Sequence, residues 1–379
     1  MTIKHCNVCF LKQNHPGIHI DDKGICNLCK MEVPQELMAN FKYTNQNYDI
    51  FQKSPPKANA KYDCLFMYSG GKDSTYMLDK FVNEEKRRVL AYTFNVPFES
   101  KHVEENIKKI QAKINIEYLI DSDDDKIKKM MQYVFNDMKP RQPGKYLDEK
   151  TPCMLCRTFF VIKAIIYAHK NNIPFIILCA DPQQIITMES NVKETVKSFY
   201  GSIGRKLTAE LFGSDIENIL FASDDDLPRI VFPYIGMRHS YRPDQMIKEL
   251  KEKDLYTSSP LETHCTLFPL LNYYSFKNYD CSFYKLNMSS QARNSEILQE
   301  TGNATFGINF NSGSNMLDIE EKYKQVIFDL VAQQGTFDVQ KQKLLDVFKQ
   351  MDFDDDAANY LTDKFLSMRA IAEDLGIKI

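Results

Sequence analysis

Apolar and polar positions between residues 62 and 234 follow two different periods. Short apolar runs typical of buried strands alternate with longer segments whose apolar positions recur every three or four residues, as in helices. The predicted strands are Asp63–Tyr68, Val89–Phe94, Ile116–Ile120, Phe175–Ala180 and Ile230–Tyr234. The predicted helices between them include Thr75–Glu85, Val103–Lys113, Asp125–Asn136 and Thr158–Asn171. This alternation predicts an α/β fold on a parallel sheet with right-handed crossovers, and ligands are expected at the carboxyl ends of the strands.

The pattern changes on both sides of this sheet region. Residues 1–32 are expected to form a small cysteine-containing module, and the polar stretch 33–60 is expected to be a linker with room for a short helix. The sheet domain is expected to cover 61–240, followed by a substrate-side or cluster-side region at 241–317 that begins with a helix, Asp244–Lys253. Helical periodicity in 318–379 predicts a C-terminal helical subdomain.

Composition and charge exclude several classes of protein. The chain has 379 residues, of which 43% are hydrophobic and 26% charged, so it is not of the disordered or fibrous classes. A net charge of −3 argues against a protein whose main function is to bind nucleic acid over a large basic surface. We find no apolar stretch near the roughly 20 residues that span a bilayer, and no apolar core of a signal peptide. We therefore expect a cytoplasmic protein without membrane association, whose cysteines are not disulfides.

Residues Ser69 to Ser74 read Ser-Gly-Gly-Lys-Asp-Ser and lie between the first predicted strand and the first predicted helix. A strand, a two-glycine turn and a helix start form an anion cradle, because the glycines let backbone N–H groups approach a phosphate and the helix N-terminus adds partial positive charge. Both serine hydroxyls can donate hydrogen bonds, and Lys72 can place an ammonium on the same oxygens. An ordinary turn needs only the glycines, so we interpret the run as a phosphate-binding loop, although the Walker A pattern is absent.

The same run resembles the pyrophosphate loop of the PP-loop (N-type ATP pyrophosphatase) superfamily, whose pattern is Ser-Gly-Gly-x-Asp-Ser. The resemblance implies an enzyme that binds the β,γ-pyrophosphate of ATP, cleaves between the α- and β-phosphates and transfers AMP to a substrate oxygen. It implies ATP contacts by the loop and the residue after it: Ser69, Gly70, Gly71, Lys72, Asp73, Ser74 and Thr75. Catalytic roles are implied for Lys72 and Asp73. We expect Mg²⁺ as well, because it neutralises the pyrophosphate leaving group, and Asp73 is the better-supported contact for it.

Two further polar residues follow predicted strands. Asn95 follows the second strand, where the fold of the resembled superfamily places nucleotide-contacting groups, and Asp181 follows the fourth, where acidic residues near magnesium are found. Both assignments come from topology, and ordinary polar residues at strand ends are an equally good interpretation. We predict ATP binding for Asn95 and a catalytic role for Asp181.

Four of the ten cysteines form two Cys-x-x-Cys pairs near the start of the chain. Cys6, Cys9, Cys26 and Cys29 are the ligand set of a structural tetrahedral zinc site. A segment this short buries too little to fold alone, so metal binding would supply its folding energy. An iron site is the alternative.

The sequence around these cysteines resembles the N-terminus of bacterial N-acetyl sugar amidotransferases. The shared features are Cys6-Asn-Val-Cys9, the run Pro16-Gly-Ile-His-Ile-Asp-Asp-Lys-Gly-Ile-Cys26-Asn-Leu-Cys29, and their distance from the phosphate loop. That family is implicated in making acetamidino sugars for surface polysaccharides, including lipopolysaccharide-type glycans. The resemblance is close over about the first 80 residues and looser over the sheet domain.

A third pair, Cys153-Met-Leu-Cys156, precedes a helix that we predict to start near Arg157. Thiols at a helix N-terminus ligate metals readily, although two apolar residues at a loop-to-helix junction are the simpler interpretation. The segment is similar to the Cys-x-x-Cys of tRNA thiolases of the same superfamily, which hold a 4Fe–4S cluster with this pair and a third, downstream cysteine. Cys265 lies at a matching distance, with Cys281 as a competitor. Three protein ligands would leave one iron open for chemistry.

Two enzymatic functions share a first half-reaction and differ in the second nucleophile. In the preferred one, ammonia displaces AMP from an activated N-acetyl group of a small-molecule sugar; no glutaminase domain is recognisable, so a separate glutaminase subunit is expected as the ammonia source. In the alternative, a sulfur attacks an activated nucleobase carbonyl in tRNA. A nucleotide-binding interaction module without activity is a third, weaker hypothesis. A homodimer is left open.

Overall fold

The computed structural model describes residues 4–13, 17–31, 35–55, 60–138, 151–185, 188–236, 241–258, 265–283, 289, 315–351 and 353–379. By its internal contacts the chain divides into two compact units. The sheet unit comprises Val33–Met130 and Cys153–Ser259, and the terminal unit comprises Met1–Glu32, Met131–Pro152 and Pro260–Ile379.

A five-stranded parallel sheet forms the centre of the sheet unit. Its strands are β1 (Cys64–Met67), β2 (Val89–Asn95), β3 (Glu117–Ser122), β4 (Phe175–Leu178) and β5 (Arg229–Val231), in the order β3-β2-β1-β4-β5. The predicted α/β fold is therefore confirmed, and each observed strand overlaps its predicted range. Because the chain runs from β1 toward β3 on one side and from β4 to β5 on the other, the strand order reverses between β1 and β4. In such sheets this switch point marks the ligand crevice, at the carboxyl ends of the strands.

Helices surround the sheet. They are α1 (Gln35–Lys53), α2 (Lys72–Asp79), α3 (Lys101–Lys113), α4 (Asp124–Gln132), α5 (Thr151–Lys170), α6 (Pro182–Ile185), α7 (Val192–Phe212), α8 (Asp215–Phe221), α9 (Pro233–Gly236) and α10 (Pro243–Glu252). Turns of π-helix, Lys80–Glu84 and Tyr133–Asp137, continue α2 and α4. The stretch that we predicted as a polar linker thus contains a helix of 19 residues.

Helix α5 corrects the expectation that the chain has no apolar stretch of membrane-spanning length. Pro152–Lys170 is long and apolar enough to cross a bilayer by length and composition. Its apolar positions Phe159, Ile162, Ile165 and Ala168 are fully buried in the protein. A helix whose apolar residues are buried in this way is typical of the core of a globular domain.

The terminal unit contains the N-terminal cysteine module and C-terminal helices. Its helices are α11 (Phe268–Tyr279), α12 (Asn315–Val331), α13 (Phe337–Gln350), α14 (Asp355–Leu366) and α15 (Met368–Asp374). Tyr323, Phe348 and Phe365 form a buried aromatic triad with ring centroids 5.4 to 5.8 Å apart. Aromatic pairs at such distances contribute stabilisation beyond that from burying apolar surface. The triad therefore stabilises the packing of α12, α13 and α14 against one another.

Candidate active site and metal-binding module

The phosphate loop leaves β1 through a conformation that requires glycine. Gly70 has φ +69°, and a Cβ built on it would lie 3.0 Å from the carbonyl oxygen of Val103 in the first turn of α3. A larger residue would therefore be strained and would collide with backbone. The loop is held against α3 at this point.

Hydroxyl groups fix the next peptide of the loop. The carbonyl oxygen of Gly71 accepts hydrogen bonds from Ser74 Oγ at 3.1 Å and from Thr75 Oγ1 at 2.8 Å. Since the C=O and N–H of one trans peptide point in opposite directions, the Lys72 N–H is aimed outward, away from α2. Ser69 Oγ lies 3.0 Å from Ser74 Oγ, so both hydroxyls belong to the same cradle. The arrangement presents N–H and O–H donors at a helix N-terminus, which is what a phosphate requires.

Thr75 is placed beneath this cradle. It is fully buried, and its hydroxyl also lies 3.2 Å from Tyr68 Oη. Its position is that of a support for the loop, whereas Ser69, Gly71 and Lys72 are partly exposed.

Two tyrosines that the sequence did not reveal hold Asp73. Tyr241 Oη donates a hydrogen bond to Asp73 Oδ1 at 2.8 Å, and Tyr234 Oη donates one to the Asp73 carbonyl oxygen at 2.9 Å. The two rings pack edge to face at 5.1 Å, and both are buried. Lys72 Nζ lies 3.4 Å from Asp73 Oδ2. The Asp73 carboxylate is therefore fixed in direction.

Asn95 and Asp181 lie at the same sheet edge as the loop, because the carboxyl ends of parallel strands meet there. Asn95 is the exposed last residue of β2. Asp181 follows β4, and its Oδ1 accepts a hydrogen bond from the Gln184 N–H at 2.9 Å, so it caps α6. Burial lowers the pKa of the Arg157 guanidinium, and the charges of Cys153 and Asp181 oppose this effect. An acidic group and a cation thus accompany the loop at the switch point.

The start of α5 differs from the prediction. The helix begins at Thr151 and not near Arg157, so Cys153 and Cys156 lie in its first two turns and not in a preceding loop. Residues three apart lie on one face of a helix. Cys153 is exposed and Cys156 is half-buried. Two thiols on one face at the start of a helix form a candidate ligand pair.

The two downstream cysteines belong to the terminal unit and have different surroundings. Cys265 is half-buried and lies just before α11, with the Leu267 N–H 3.4 Å from its Sγ. Cys281 follows α11 and is buried in the apolar cluster around the N-terminal module. Of the two, only the Cys265 environment leaves part of the residue accessible.

The four N-terminal cysteines converge. Cys6 Sγ lies 3.8 Å from Cys29 Sγ, and Cys9 Sγ lies 3.6 Å from Cys26 Sγ; all four sulfurs are within 4.8 Å of one another. These separations exceed the S–S bond of about 2 Å. A tetrahedron with Zn–S distances of about 2.3 Å has S···S edges of about 3.8 Å. The geometry fits a tetrahedral metal ion.

Electrostatics agree with metal binding by these thiols. Hydrogen bonds from Cys26 and Cys29 hold the pKa of Cys6 well below its usual value, and hydrogen bonding to Cys29 lowers the pKa of Cys26 to about 7. The same contacts raise the pKa of Cys29. Cys6 and Cys26 are thus shifted toward thiolate, which is the form that ligates metals.

Apolar groups of the terminal unit surround this module. Tyr274 and Tyr279 of α11, together with Cys281, form one buried cluster with the four cysteines, and Phe135 packs against it. The metal-binding module is thereby part of the core of its unit.

A separate cavity of about 520 Å³ opens at the opposite edge of the sheet. It is lined by residues at the amino ends of β1, β4 and β5, among them Asp63, Phe175 and Arg229. It is remote from the carboxyl edge, so it is not the nucleotide site that the loop predicts.

No family model matches the chain, and no curated protein matches it. Among solved structures it is similar to U34-tRNA thiolase NcsA from Methanococcus maripaludis with its 4Fe-4S cluster, at 14% identity and a TM-score of 0.34, over 83% of this chain and 93% of that one. It is also similar to NMN synthetase from Francisella tularensis, at 12% identity and a TM-score of 0.31, over 71% of this chain and 98% of that one. For the NH3-dependent NAD synthetase from Campylobacter jejuni, identity is 13% and the TM-score 0.30, over 68% of this chain and 95% of that one. At these identities the similarity extends no further than the fold.

Proposed function

We propose that the sheet unit is an ATP pyrophosphatase that transfers AMP to a carbonyl oxygen of its substrate. The observation that carries this proposal is the loop itself. Within one turn it presents the outward Lys72 N–H, the Ser69 hydroxyl, which lies 3.0 Å from the supporting Ser74 Oγ, and the Lys72 ammonium. These donors suit a pyrophosphate, which has many acceptor oxygens and high negative charge.

The first half-reaction is a displacement at the α-phosphorus. The substrate carbonyl oxygen forms a bond to phosphorus while the bond to the bridging α,β oxygen breaks, and pyrophosphate stays in the loop. Lys72 and the loop donors stabilise the charge that develops on the leaving group, which is the principal means of catalysis for phosphoryl chemistry. Asp73 and Asp181 are the residues that would hold Mg²⁺, which when bound neutralises the pyrophosphate.

In the second half-reaction, we propose, ammonia attacks the activated carbon and AMP leaves with the original carbonyl oxygen. The acceptor class that we favour is an N-acetyl sugar, so the product would be an acetamidino sugar for a surface glycan. This finer assignment is supported by the resemblance of the N-terminal cysteine run to sugar amidotransferases. A cytoplasmic location and a separate glutaminase partner belong to the same proposal.

An isotope experiment tests this sequence of steps. The protein is incubated with ATP, Mg²⁺, ammonium and nucleotide-linked N-acetyl sugars carrying oxygen-18 in the acetyl carbonyl. We expect pyrophosphate release and AMP that contains the label. Lys72→Met should slow both on the order of a hundredfold, whereas Lys80→Met, a change farther along the same helix, should not. Release of orthophosphate and ADP, or unlabelled AMP from a labelled acceptor that is consumed, would contradict the proposal.

Sulfur transfer is the second candidate, and it is favoured by one observation. Cys153 and Cys156 lie on one face of the first turns of α5, in the same unit as the loop. They are the pair that would hold an iron–sulfur cluster, which when bound with an open iron site can carry a sulfur atom. Cys265, which the resemblance implies as the third ligand, belongs to the terminal unit. The solved NcsA structure contains a 4Fe-4S cluster.

Anaerobic purification separates the two candidates. Brown protein with stoichiometric iron that loses its colour in Cys153→Ala, but not in Cys64→Ala, would favour sulfur transfer, because Cys64 is buried inside β1. Colourless protein that retains only zinc would leave the amidotransferase as the better proposal.

For the N-terminal module we propose structural zinc. Four thiolates complete a tetrahedral shell and leave no open position for a substrate. The burial of the module against α11 supports a structural role.

A further inference from the structure

One buried side chain connects the phosphate loop with a distant segment of the sheet unit. Asn106 lies in α3 and is fully buried. Its Nδ2 donates hydrogen bonds to the carbonyl oxygen of Gly70 at 3.0 Å and to that of Thr257 at 3.1 Å. Its Oδ1 accepts a hydrogen bond from the Thr257 N–H at 2.8 Å. Both hydrogens of Nδ2 are therefore used, and the oxygen has one partner.

The Gly70 contact determines the direction of a loop N–H. The Gly70 carbonyl and the Gly71 N–H belong to one planar trans peptide and point in opposite directions. By holding the carbonyl toward α3, Asn106 directs the Gly71 N–H toward Ser69 Oγ, to which it donates a hydrogen bond at 3.4 Å. The next peptide is fixed by Ser74 and Thr75. Asn106 thereby fixes the peptide that holds the Ser69 hydroxyl, which lies 3.0 Å from Ser74 Oγ in the cradle.

The Thr257 contact makes this orientation rigid. An amide that bonded only to Gly70 could rotate about its last side-chain torsion, but the pair of bonds to the Thr257 N–H and C=O fixes its plane. The segment that ends at Thr257 also contacts α2, through Lys253 Nζ to Asp79 Oδ2 at 2.6 Å. Asn106 is consequently held from both sides.

We propose that Asn106 is a positioning residue for pyrophosphate, acting through the Gly70–Gly71 peptide that it orients. This inference rests on the proposed function, since it concerns the ligand of the same loop. Nothing in the loop motif itself specifies the residue.

Binding of inorganic pyrophosphate to the full-length protein, measured by calorimetry, tests the proposal. In Asn106→Asp an oxygen replaces Nδ2. The carbonyl oxygens of Gly70 and Thr257 then face a carboxyl oxygen in place of the N–H donor that they bond in the wild type. We expect pyrophosphate affinity to fall on the order of tenfold or more, as is usual when buried acceptors lose their donor. Asn106→Ala, which removes the donor without adding repulsion, should lose less.

The order of the two variants separates positioning from packing. If Asn106 only filled space, the isosteric Asp would be tolerated and the truncation to Ala would be the more damaging change. The matched control is Asn136→Asp in the terminal unit, where Nδ2 donates to the Gly376 carbonyl at 3.0 Å and Oδ1 accepts from the Lys378 N–H at 2.7 Å. This control should bind pyrophosphate like the wild type.

Each outcome is decisive. The inference is supported if pyrophosphate affinity falls most in Asn106→Asp, less in Asn106→Ala and not in the control, while circular dichroism shows that all three variants are folded. Should Asn106→Asp fail to fold, the inference is supported if folded Asn106→Ala loses more affinity than the control. Both variants binding within twofold of wild type, or Ala being worse than Asp, would overturn the inference and leave the proposed function intact. A wild-type protein that binds no pyrophosphate would overturn both.

Discussion

Glu99 gives the most quantitative prediction that the structure allows. It lies in the connection between β2 and α3, and its Oε2 is buried with no hydrogen-bond partner among the described residues. Burial, with a smaller contribution from Glu104, raises the pKa of Glu99 from 4.5 to about 8. We expect Glu99→Gln, which is neutral at every pH, to make the protein more stable than wild type under alkaline conditions.

The sign follows from the two protonation states. Between pH 4.5 and about 8 the unfolded chain releases the Glu99 proton while the folded protein keeps it. Rising pH therefore favours unfolding: the stability is fully present below the unfolded-state pKa and is lost as pH passes through the folded-state pKa. At 1.36 kcal/mol per pH unit, the interval sets a ceiling of about 5 kcal/mol. Because the residue as a whole is only half-buried, solvent screens the penalty, and we expect about 2 kcal/mol to be observed.

Urea unfolding of the full-length protein, followed by circular dichroism from pH 5 to pH 9, measures this quantity. The free-energy difference between Glu99→Gln and wild type should grow from pH 5 to about pH 8 and then level off. Glu104→Gln, on the exposed side of α3, should lower the pKa of Glu99 and reduce the growth without abolishing it. A difference that stays constant across this range would show that the carboxyl group is solvated, and the reasoning from burial would be wrong.

Three further changes address the loop and the metal-binding module. Lys72→Met should lower the rate of pyrophosphate release on the order of a hundredfold, because a charge aimed at the leaving group is lost, while Lys80→Met should retain the wild-type rate. Removal of the metal with a strong chelator, or the substitution Cys9→Ser, should lower the melting temperature, because metal binding contributes folding free energy. Added zinc should restore the melting temperature of the chelated wild type but not that of Cys9→Ser. An unchanged melting curve would refute a structural metal. Tyr241→Phe removes the hydrogen bond to Asp73 but keeps the ring, so the Mg²⁺ concentration for half-maximal activity should rise about tenfold with little change in melting temperature.

The strands and the loop were predictable because their signals are local. The central strands are short apolar runs buried on both faces, as β1 illustrates with Cys64, Leu65 and Phe66 fully buried, whereas the edge strand β3 is partly exposed. Parallel strands covered by helices give continuous apolar runs, and no knowledge of distant partners is needed to recognise them. The loop is likewise a contiguous motif whose residue types carry its chemistry.

Among the helices that were not predicted, α1 and α11 were missed for opposite reasons. Helix α1 was predicted to be largely linker, because its buried face includes polar residues: Thr44 bonds to Ser190 at 2.7 Å and Asn47 bonds to the Ile230 carbonyl at 3.1 Å. These polar contacts interrupt the apolar period. Helix α11 is buried on nearly all sides, so its apolar residues show no helical period at all.

The start of α5 was placed too late because Pro152 was treated as part of a loop. Proline is tolerated in the first turn of a helix, where its missing N–H has no intrahelical partner to lose. Moving the start to Thr151 changes the chemistry of the third cysteine pair. Cys153 and Cys156 become neighbours on one helix face, with their spacing fixed by the backbone.

The candidate site shows the limit of prediction from local sequence motifs. Its donors are contiguous, but the groups that aim them are distant in sequence: Asn106 is 36 residues from Gly70, and Tyr241 is 168 residues from Asp73. An asparagine in an amphipathic helix and a tyrosine before a proline-started helix carry no pattern of their own, since either would serve as an ordinary buried polar residue. Their roles appear only when the fold brings a carbonyl or a carboxylate to within 3 Å of them. The sequence therefore predicts which atoms would bind phosphate, whereas the direction in which those atoms point depends on tertiary structure. Variants at Asn106 and Tyr241 change that direction and leave the loop sequence intact, so they separate the two contributions experimentally.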